Sequence, residues 1–257
     1  MARQGDVSDA GLLRLLWNPE RPTGPRPGPK AQLTMEAIVR AGISVADDRD
    51  GPPLSMRLVG DRLGRTPMAL YSYVDGKDTL LRLMYDAAHA EFAPPDGAEG
   101  VEQVQGWAVA LTDLYASHHW LADLSWSRPV LGPHEQEVLE SLLRRLRPFA
   151  LTSTQDGTIA SALLTLCRST GRLIADARHA ERATGMSDEQ WWRAQSTAMA
   201  ESAPDFADRF PLSARSGSAA PDEDPDDDPS QGYVERAARA QLKRTVRFLL
   251  NGAKADH

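Results

Sequence analysis

The chain has 257 residues, is 41% hydrophobic and 25% charged, and carries a formal net charge of −7, the balance of a folded protein with enough chain for one large domain or two smaller ones. Its single cysteine, Cys167, excludes intramolecular disulfides and cysteine-based zinc sites. Apolar runs such as Ala162–Leu163–Leu164 fall far short of the roughly 20 residues that span a bilayer, and the opening MARQGDVSDA lacks a signal-peptide core, so a cytoplasmic protein with no membrane partner is expected.

Residues 1–30 read as a separate flexible arm. Pro19 to Lys30 (PERPTGPRPGPK) is dense in proline and glycine and cannot hold a helix. It is either a disordered leader or a basic arm (Arg21, Arg26, Lys30) that touches a phosphate backbone. The apolar patch Leu12 to Trp17 could fold back on a partner surface. Thr34 then caps a helix carrying Ile38, Val39, Gly42, Ile43 and Ala46, which ends before Asp50–Gly51–Pro52–Pro53. Short helices follow at 55–63, closed by Gly64, and 66–73, with Thr66 as N-cap and Pro67 in the first turn. After the Asp75–Gly76 turn a longer helix spans 77–92, with Leu80, Leu81, Met84, Tyr85 and Ala88 on its apolar face. Ala93–Pro94–Pro95–Asp96–Gly97 marks the main internal boundary, dividing a unit at 31–92 from one at 93–257. Beyond it helices are expected at 101–117, 119–126, 133–149, 154–182, 187–202 and 231–253. Residues 212–230, which contain PDEDPDDDPS, read as an acidic disordered loop. Strand alternation is scarce, so the fold class is all-α.

Acidity argues against a nucleic-acid partner only if it is spread over the surface. It is not. Residues 1–91 hold twelve Lys+Arg and twelve Asp+Glu, and six acids crowd into 222–228. No phosphate-binding loop, dinucleotide glycine fingerprint or Gly-x-Ser-x-Gly elbow is present, and HEQE at 134–137 lacks the second histidine of a zinc hydrolase. The chain therefore reads as a non-enzyme. Adjacent histidines such as His118 and His119 point about 100° apart on a helix and chelate poorly. Neither a metal nor a cofactor is expected.

The most informative stretch is 54–80, LSMRLVGDRLGRTPMALYSYVDGKDTL. Two short helices meet across a turn at Gly64, the layout of a helix-turn-helix whose second helix enters the major groove. Met56, Leu58, Val59 and Leu63 are the inward face of the first helix, Leu70 and Val74 that of the second, and Gly60 permits close approach. The polar remainder suits DNA. Ser55, Arg57, Arg65, Thr66, Tyr71, Ser72 and Tyr73 supply charges, hydroxyls and phenols, with Pro67, Met68 and Ala69 on the reading helix between them. Lys77 begins the next helix, where its charge and the N-terminal amides can share a phosphate.

SMRLVGDRLG, TPMALYSYV and GKDTLL, in that order, resemble the TetR family of bacterial transcriptional repressors over residues 33–92. Arg65 stands where the family often has an apolar residue, and Val59–Gly60 replaces the commoner Leu-Ala. SHHWLADL (117–124), RPVLGPHEQEVLESLLRRL (128–146), SALLTLCRSTGRLI (161–174) and YVERAARAQLKRTVRFLLNG (233–252) more loosely resemble the tetracycline-repressor-like ligand domain. The resemblance implies a three-helix N-terminal DNA-binding domain and a helical C-terminal ligand-binding and dimerisation domain, whose long helix near 155–180 and last helix near 232–252 pair with their mates. Val234, Ala237, Ala238, Leu242, Thr245, Phe248 and Leu249 do form an apolar face that needs a partner, in the same chain or a second copy. Trp107, Tyr115, Trp120, Trp126, Cys167 and Arg168 are candidate liners of an effector pocket between helices. The expected protein is a homodimeric repressor that binds a palindromic double-stranded operator and is released by a small-molecule effector. The alternative is a helical small-molecule-binding module without DNA-binding activity.

Overall fold

The computed structural model describes residues 9–18, 33–48, 51, 53–217, 228 and 230–255, and among them every regular element is a helix. The first is α1 (Asp9–Trp17), a correction to the expected arm at 1–30. Leu12 and Leu16 are buried in the main core and α1 lies against α5 (Lys77–His89). A one-sided leucine stripe one helical turn long is enough to dock the segment on its own chain; the helix-breaking composition starts only at Pro19. Arg21, Arg26 and Lys30 lie outside the described residues.

Three helices then form the N-terminal unit with α5. Helix α2 (Met35–Ala46) starts at Thr34, whose hydroxyl accepts from Ala37 N. Helix α3 (Met56–Leu63) starts at Ser55, which caps Leu58 N, and ends at a left-handed Gly64. Helix α4 (Pro67–Tyr71) starts at Thr66, which caps Ala69 N. Ile38, Met56, Val59, Leu70, Val74, Leu80 and Met84 close a core between them. Leu58 and Leu63 are only half-buried, at the edge of that core.

The larger body is built on α6 (Gly100–Ser117), α7 (Pro133–Leu146), α8 (Ser153–Thr184) and α12 (Tyr233–Ala255). The stretch expected as a helix at 119–126 is a 3-10 turn, His119–Asp123, followed by Leu124 in an extended conformation and a turn at 126–127. Arg168 explains this: its guanidinium donates to the carbonyls of Ala122 and Leu124, taking acceptors that a longer helix would have bonded internally. Helix α12 turns Ala238, Leu242, Val246 and Leu250 inward against α6 and α8. Of the face expected to need a partner, Ala238 and Leu242 are satisfied within the chain, while Phe248 is 72% exposed.

Helices α9 (Asp188–Ser202), α10 (Phe206–Arg209) and α11 (Pro211–Gly217) extend from this body, and α9 buries no residue. Helix α11 corrects the expected loop at 212–230 over its first residues; Pro211 begins the helix and no glycine intervenes before Gly217. Most of the acidic run, 222–227, lies outside the described residues. Among the described residues no helix is long and apolar enough to cross a membrane.

Candidate nucleic-acid interface and effector cleft

The tight turn between α3 and α4, closed by the left-handed Gly64, lies directly against Gly60. A Cβ on Gly60 would stand 2.7 Å from the Arg65 carbonyl oxygen and 3.5 Å from Pro67 N. The missing side chain lets the turn backbone, rather than the body of α4, lie against α3. Arg65 N donates back to Gly60 O at 2.9 Å, which locks the arrangement.

With α3 and α4 so placed, Leu70 and Val74 point inward. Arg57, Arg65, Thr66, Met68, Tyr71, Ser72 and Lys77 are exposed, and Ser55, Pro67, Ala69 and Tyr73 are half-buried at the margin. Met68 is 74% exposed on α4. The hydroxyls of Ser55 and Thr66 serve as helix caps; as acceptors there, both keep a proton to donate elsewhere. Lys77 opens α5, whose N-cap Gly76 offers no side chain, so the first amides of α5 keep their donors for an anion.

Helix α5 leaves this face and enters the larger body. At its end, His118, on the C-cap of α6, donates from Nδ1 to Asp47 Oδ1 (2.8 Å) and from Nε2 to Glu91 Oε2 (3.1 Å). Trp120 Nε1 donates to the same Asp47 oxygen at 2.8 Å. One imidazole thus ties the ends of α2 and α5 to α6. Burial lowers the His118 pKa, but its bonds and charges from Asp47 and Glu91 outweigh that and raise it above the ordinary value. The imidazolium's stabilisation is therefore fully present below about pH 6.5 and lost as pH rises through the raised value. The stability difference between wild type and His118→Asn, followed by thermal unfolding, should shrink as pH rises from about 6 to about 9; a constant difference would exclude a charged clamp.

Between α5 and the loop before α7 lies a cleft of about 310 Å³, walled by Arg82, Tyr85, Trp126, Arg128, Val130 and Glu135 among others. That is the lower end of the size range for small-molecule sites. Behind it stands a run of rings: Tyr85 and His89 with centroids 4.3 Å apart, His89 and Tyr115 at 6.1 Å, Tyr115 and Trp126 at 6.5 Å. The Arg168 guanidinium covers the Trp126 ring at 4.5 Å. Burial holds the Tyr85 and Tyr115 hydroxyls protonated, with pKa values well above the ordinary range. Burial also lowers the pKa of His89, leaving a neutral ring whose Nδ1–H donates to Tyr85 O at 2.7 Å. Glu135 is pushed up by burial against an opposing bond from the Leu131 amide. The indole N–H of Trp126 is buried, and no acceptor among the described residues meets it in hydrogen-bond geometry, although the Tyr85 hydroxyl is its neighbour.

Of the six expected liners only Trp126 stands in the cleft wall. Trp107 is fully buried and donates to Ser141 Oγ at 2.8 Å. Trp120 is committed to Asp47. Cys167 is buried, its Sγ reaches Ala108 O at 3.4 Å, and burial pushes its thiol pKa up to about 12. Tyr115 and Arg168 back the wall from behind. Tyr85, Arg82 and Glu135 are cleft residues that the sequence reading did not single out for this role; the signal at hand was a tyrosine on an otherwise aliphatic helix face. No group of three or more His, Cys, Asp or Glu side chains among the described residues could hold a metal.

The sequence pattern described as "Tetracyclin repressor-like, C-terminal domain" matches residues 93–229. The chain is 38% identical over 207 residues to the HTH-type transcriptional repressor DrrR1 of Streptomyces coeruleorubidus, covering 74% of this chain and 70% of that protein. The fold is shared with ActR of Streptomyces coelicolor in complex with actinorhodin, at TM-score 0.62 and 22% identity over 88% of this chain and 97% of ActR. It is shared also with BioQ bound to its natural double-stranded DNA operator, at TM-score 0.51 and 23% identity over 59% of this chain and 93% of BioQ, a protein also solved from Mycobacterium smegmatis.

Proposed function

The chain belongs to the TetR family of DNA-binding transcriptional regulators, and from that premise we propose that it is a homodimeric repressor whose operator grip is released by an aromatic effector. The observation that carries the DNA reading is the exposed face of α3, α4 and the start of α5. Arg57, Arg65, Thr66, Tyr71, Ser72 and Lys77 are exposed there, and Tyr73 stands at the margin, partly packed on the core. Ser55, Pro67, Met68 and Ala69 complete the face.

The effector occupies the Tyr85–Trp126–Glu135 cleft. Its recognition chemistry is a planar aromatic body beside the ring run. ActR in complex with actinorhodin is a precedent for a bound ligand within this fold. Dimerisation uses α8 and α12, which leave Leu173 at 50% and Phe248 at 72% exposure. A two-fold protein matches a palindromic operator with half-sites about one helical turn of DNA apart. The effector releases DNA only by binding the two arrangements unequally.

The test is a titration of the wild-type protein against the duplex upstream of its own coding sequence. Sequence-selective binding at moderate salt is expected, and its absence sinks the repressor reading. Lys77→Ala should weaken binding to every sequence alike. Two copies each lose one phosphate contact, so the slope of log K against log salt should become shallower by about two. An unchanged slope removes Lys77 from the phosphate contacts.

A further inference from the structure

The N terminus of α7 is capped from another helix. Gly132, its N-cap residue, has no side chain to offer. Instead Asp86, on α5 and almost fully buried, places Oδ1 at 3.0 Å from the amides of both His134 and Glu135, and Oδ2 at 2.9 Å from His134 Nδ1. A buried carboxylate is tolerated where several donors converge on it. Here all three come from the first turn of α7.

The chain on the other side of this cap is under strain. Leu131, just before Gly132, has φ 59, a left-handed conformation that a leucine adopts only when its surroundings impose it. Its amide donates to Glu135 Oε2 at 2.6 Å, and its carbonyl accepts from Trp17 Nε1 at 2.9 Å. Gly132 has φ −80, so its backbone does not require glycine. What requires it is Asp86: a Cβ there would stand 2.1 Å from Asp86 Oδ1. Val130 and Glu135 are cleft wall. The strained turn that forms the wall is therefore fastened to α5, the helix whose first residue is Lys77.

We propose that Asp86 is the positioning residue that couples the effector cleft to the DNA-reading helices, an inference that rests on the effector reading of that cleft. A molecule that displaces Glu135 from the Leu131 amide, or presses on the 130–135 wall, loosens the strained turn and with it the three bonds that fix α5 against α7. Helix α5 packs on α2, so its shift is felt by the whole N-terminal unit. Trp17 makes α1 part of the same fastening.

Gly132→Ala tests this without an effector, because the added methyl pushes directly on the Asp86 carboxylate. In the full-length free protein, amide hydrogen exchange should rise over 133–136 and also over 56–77. Affinity for an operator duplex selected from random DNA should fall about tenfold, within the usual range of allosteric couplings. In an Asp86→Ala background, which removes the oxygen and carboxyl carbon that the methyl would meet at 2.1 and 2.3 Å, Gly132→Ala should add clearly less to both readouts than it does in wild type. Exchange that rises only over 131–136, with 56–77 at wild-type values, overturns the proposal, as does an undiminished effect in the Asp86→Ala background. The exchange measurement uses neither DNA nor effector. A wild-type protein that binds no selected duplex would therefore defeat the repressor reading and leave the exchange result to decide the coupling.

Discussion

Replacing Glu235 by glutamine should cost about 3 kcal/mol of folding stability near neutral pH, the low end of the range for breaking a buried ion pair. Glu235 is 4% exposed and sits at the centre of an ion-pair network that spans three helices. Arg178 of α8 meets it with two bonds, at 2.8 and 2.7 Å, and Arg239 of α12 at 2.7 Å. Arg239 in turn holds Asp113 of α6 at 2.5 Å. Glutamine fits the space but leaves two guanidiniums facing each other without the carboxylate. Arg178 is 43% exposed and regains water, whereas Arg239 is 13% exposed and cannot, which is why the low end of the range applies. Burial raises the Glu235 pKa, but the bonds and charges of Arg178 and Arg239 prevail and hold it below the ordinary carboxylate value. Its contribution is therefore full above about pH 4.5 and lost as pH falls through the depressed value. Thermal unfolding should put the Glu235→Gln midpoint about 6–10 °C below wild type near pH 7, with the gap closing as pH drops toward 3. A gap under about 2 °C, or one that does not close in acid, would contradict a buried charged network.

The N-terminal unit was legible because its signals are local. Ser55, Gly64, Thr66 and Pro67 each act within four residues of themselves as caps or turn formers, and Leu70 and Val74 follow from helical spacing alone. The effector cleft was not legible for the opposite reason. Residue type identifies an aromatic but not what its polar edge meets. Trp107 finds Ser141 and Trp120 finds Asp47, contacts 34 and 73 residues apart in sequence, and nothing in the composition distinguishes them from Trp126. Helical spacing makes Tyr85 one more apolar position on its helix, which it is; that a loop returns to make a cleft beside it depends on Asp86 reaching α7 across 48 residues. Helix α1 is hidden by its neighbour: a leucine stripe of one turn is too short to stand out beside the proline-rich run that follows Trp17.

Gly60→Ala should lower operator affinity in this chain about a hundredfold, although alanine is the commoner residue of the family at that position, and should cost the fold no more than about 2 kcal/mol. Gly60 lies inside α3, where alanine is intrinsically favoured over glycine by up to about 1 kcal/mol. A reading of helix propensity alone would therefore have the substitution stabilise the protein. The turn opposes that. The new methyl would stand 2.7 Å from the Arg65 carbonyl oxygen, a backbone atom with no rotamer to yield, so the Arg65–Thr66 segment must retreat. Thr66 caps α4, and α4 is too short to keep its direction independently of its cap. Overpacking of this kind costs about 1–3 kcal/mol. If about 1.4 kcal/mol of it is felt as misplacement of the reading helix, each half-site loses tenfold. A homodimer carries the change in both reading helices, so the losses multiply. Binding to unrelated duplex should change far less, because contacts to phosphates tolerate a tilt that base edges do not. Anisotropy titrations on operator and unrelated duplexes at one salt concentration, beside a thermal midpoint, separate these effects. Operator affinity retained by a folded Gly60→Ala protein would mean that the turn does not set the placement of α4.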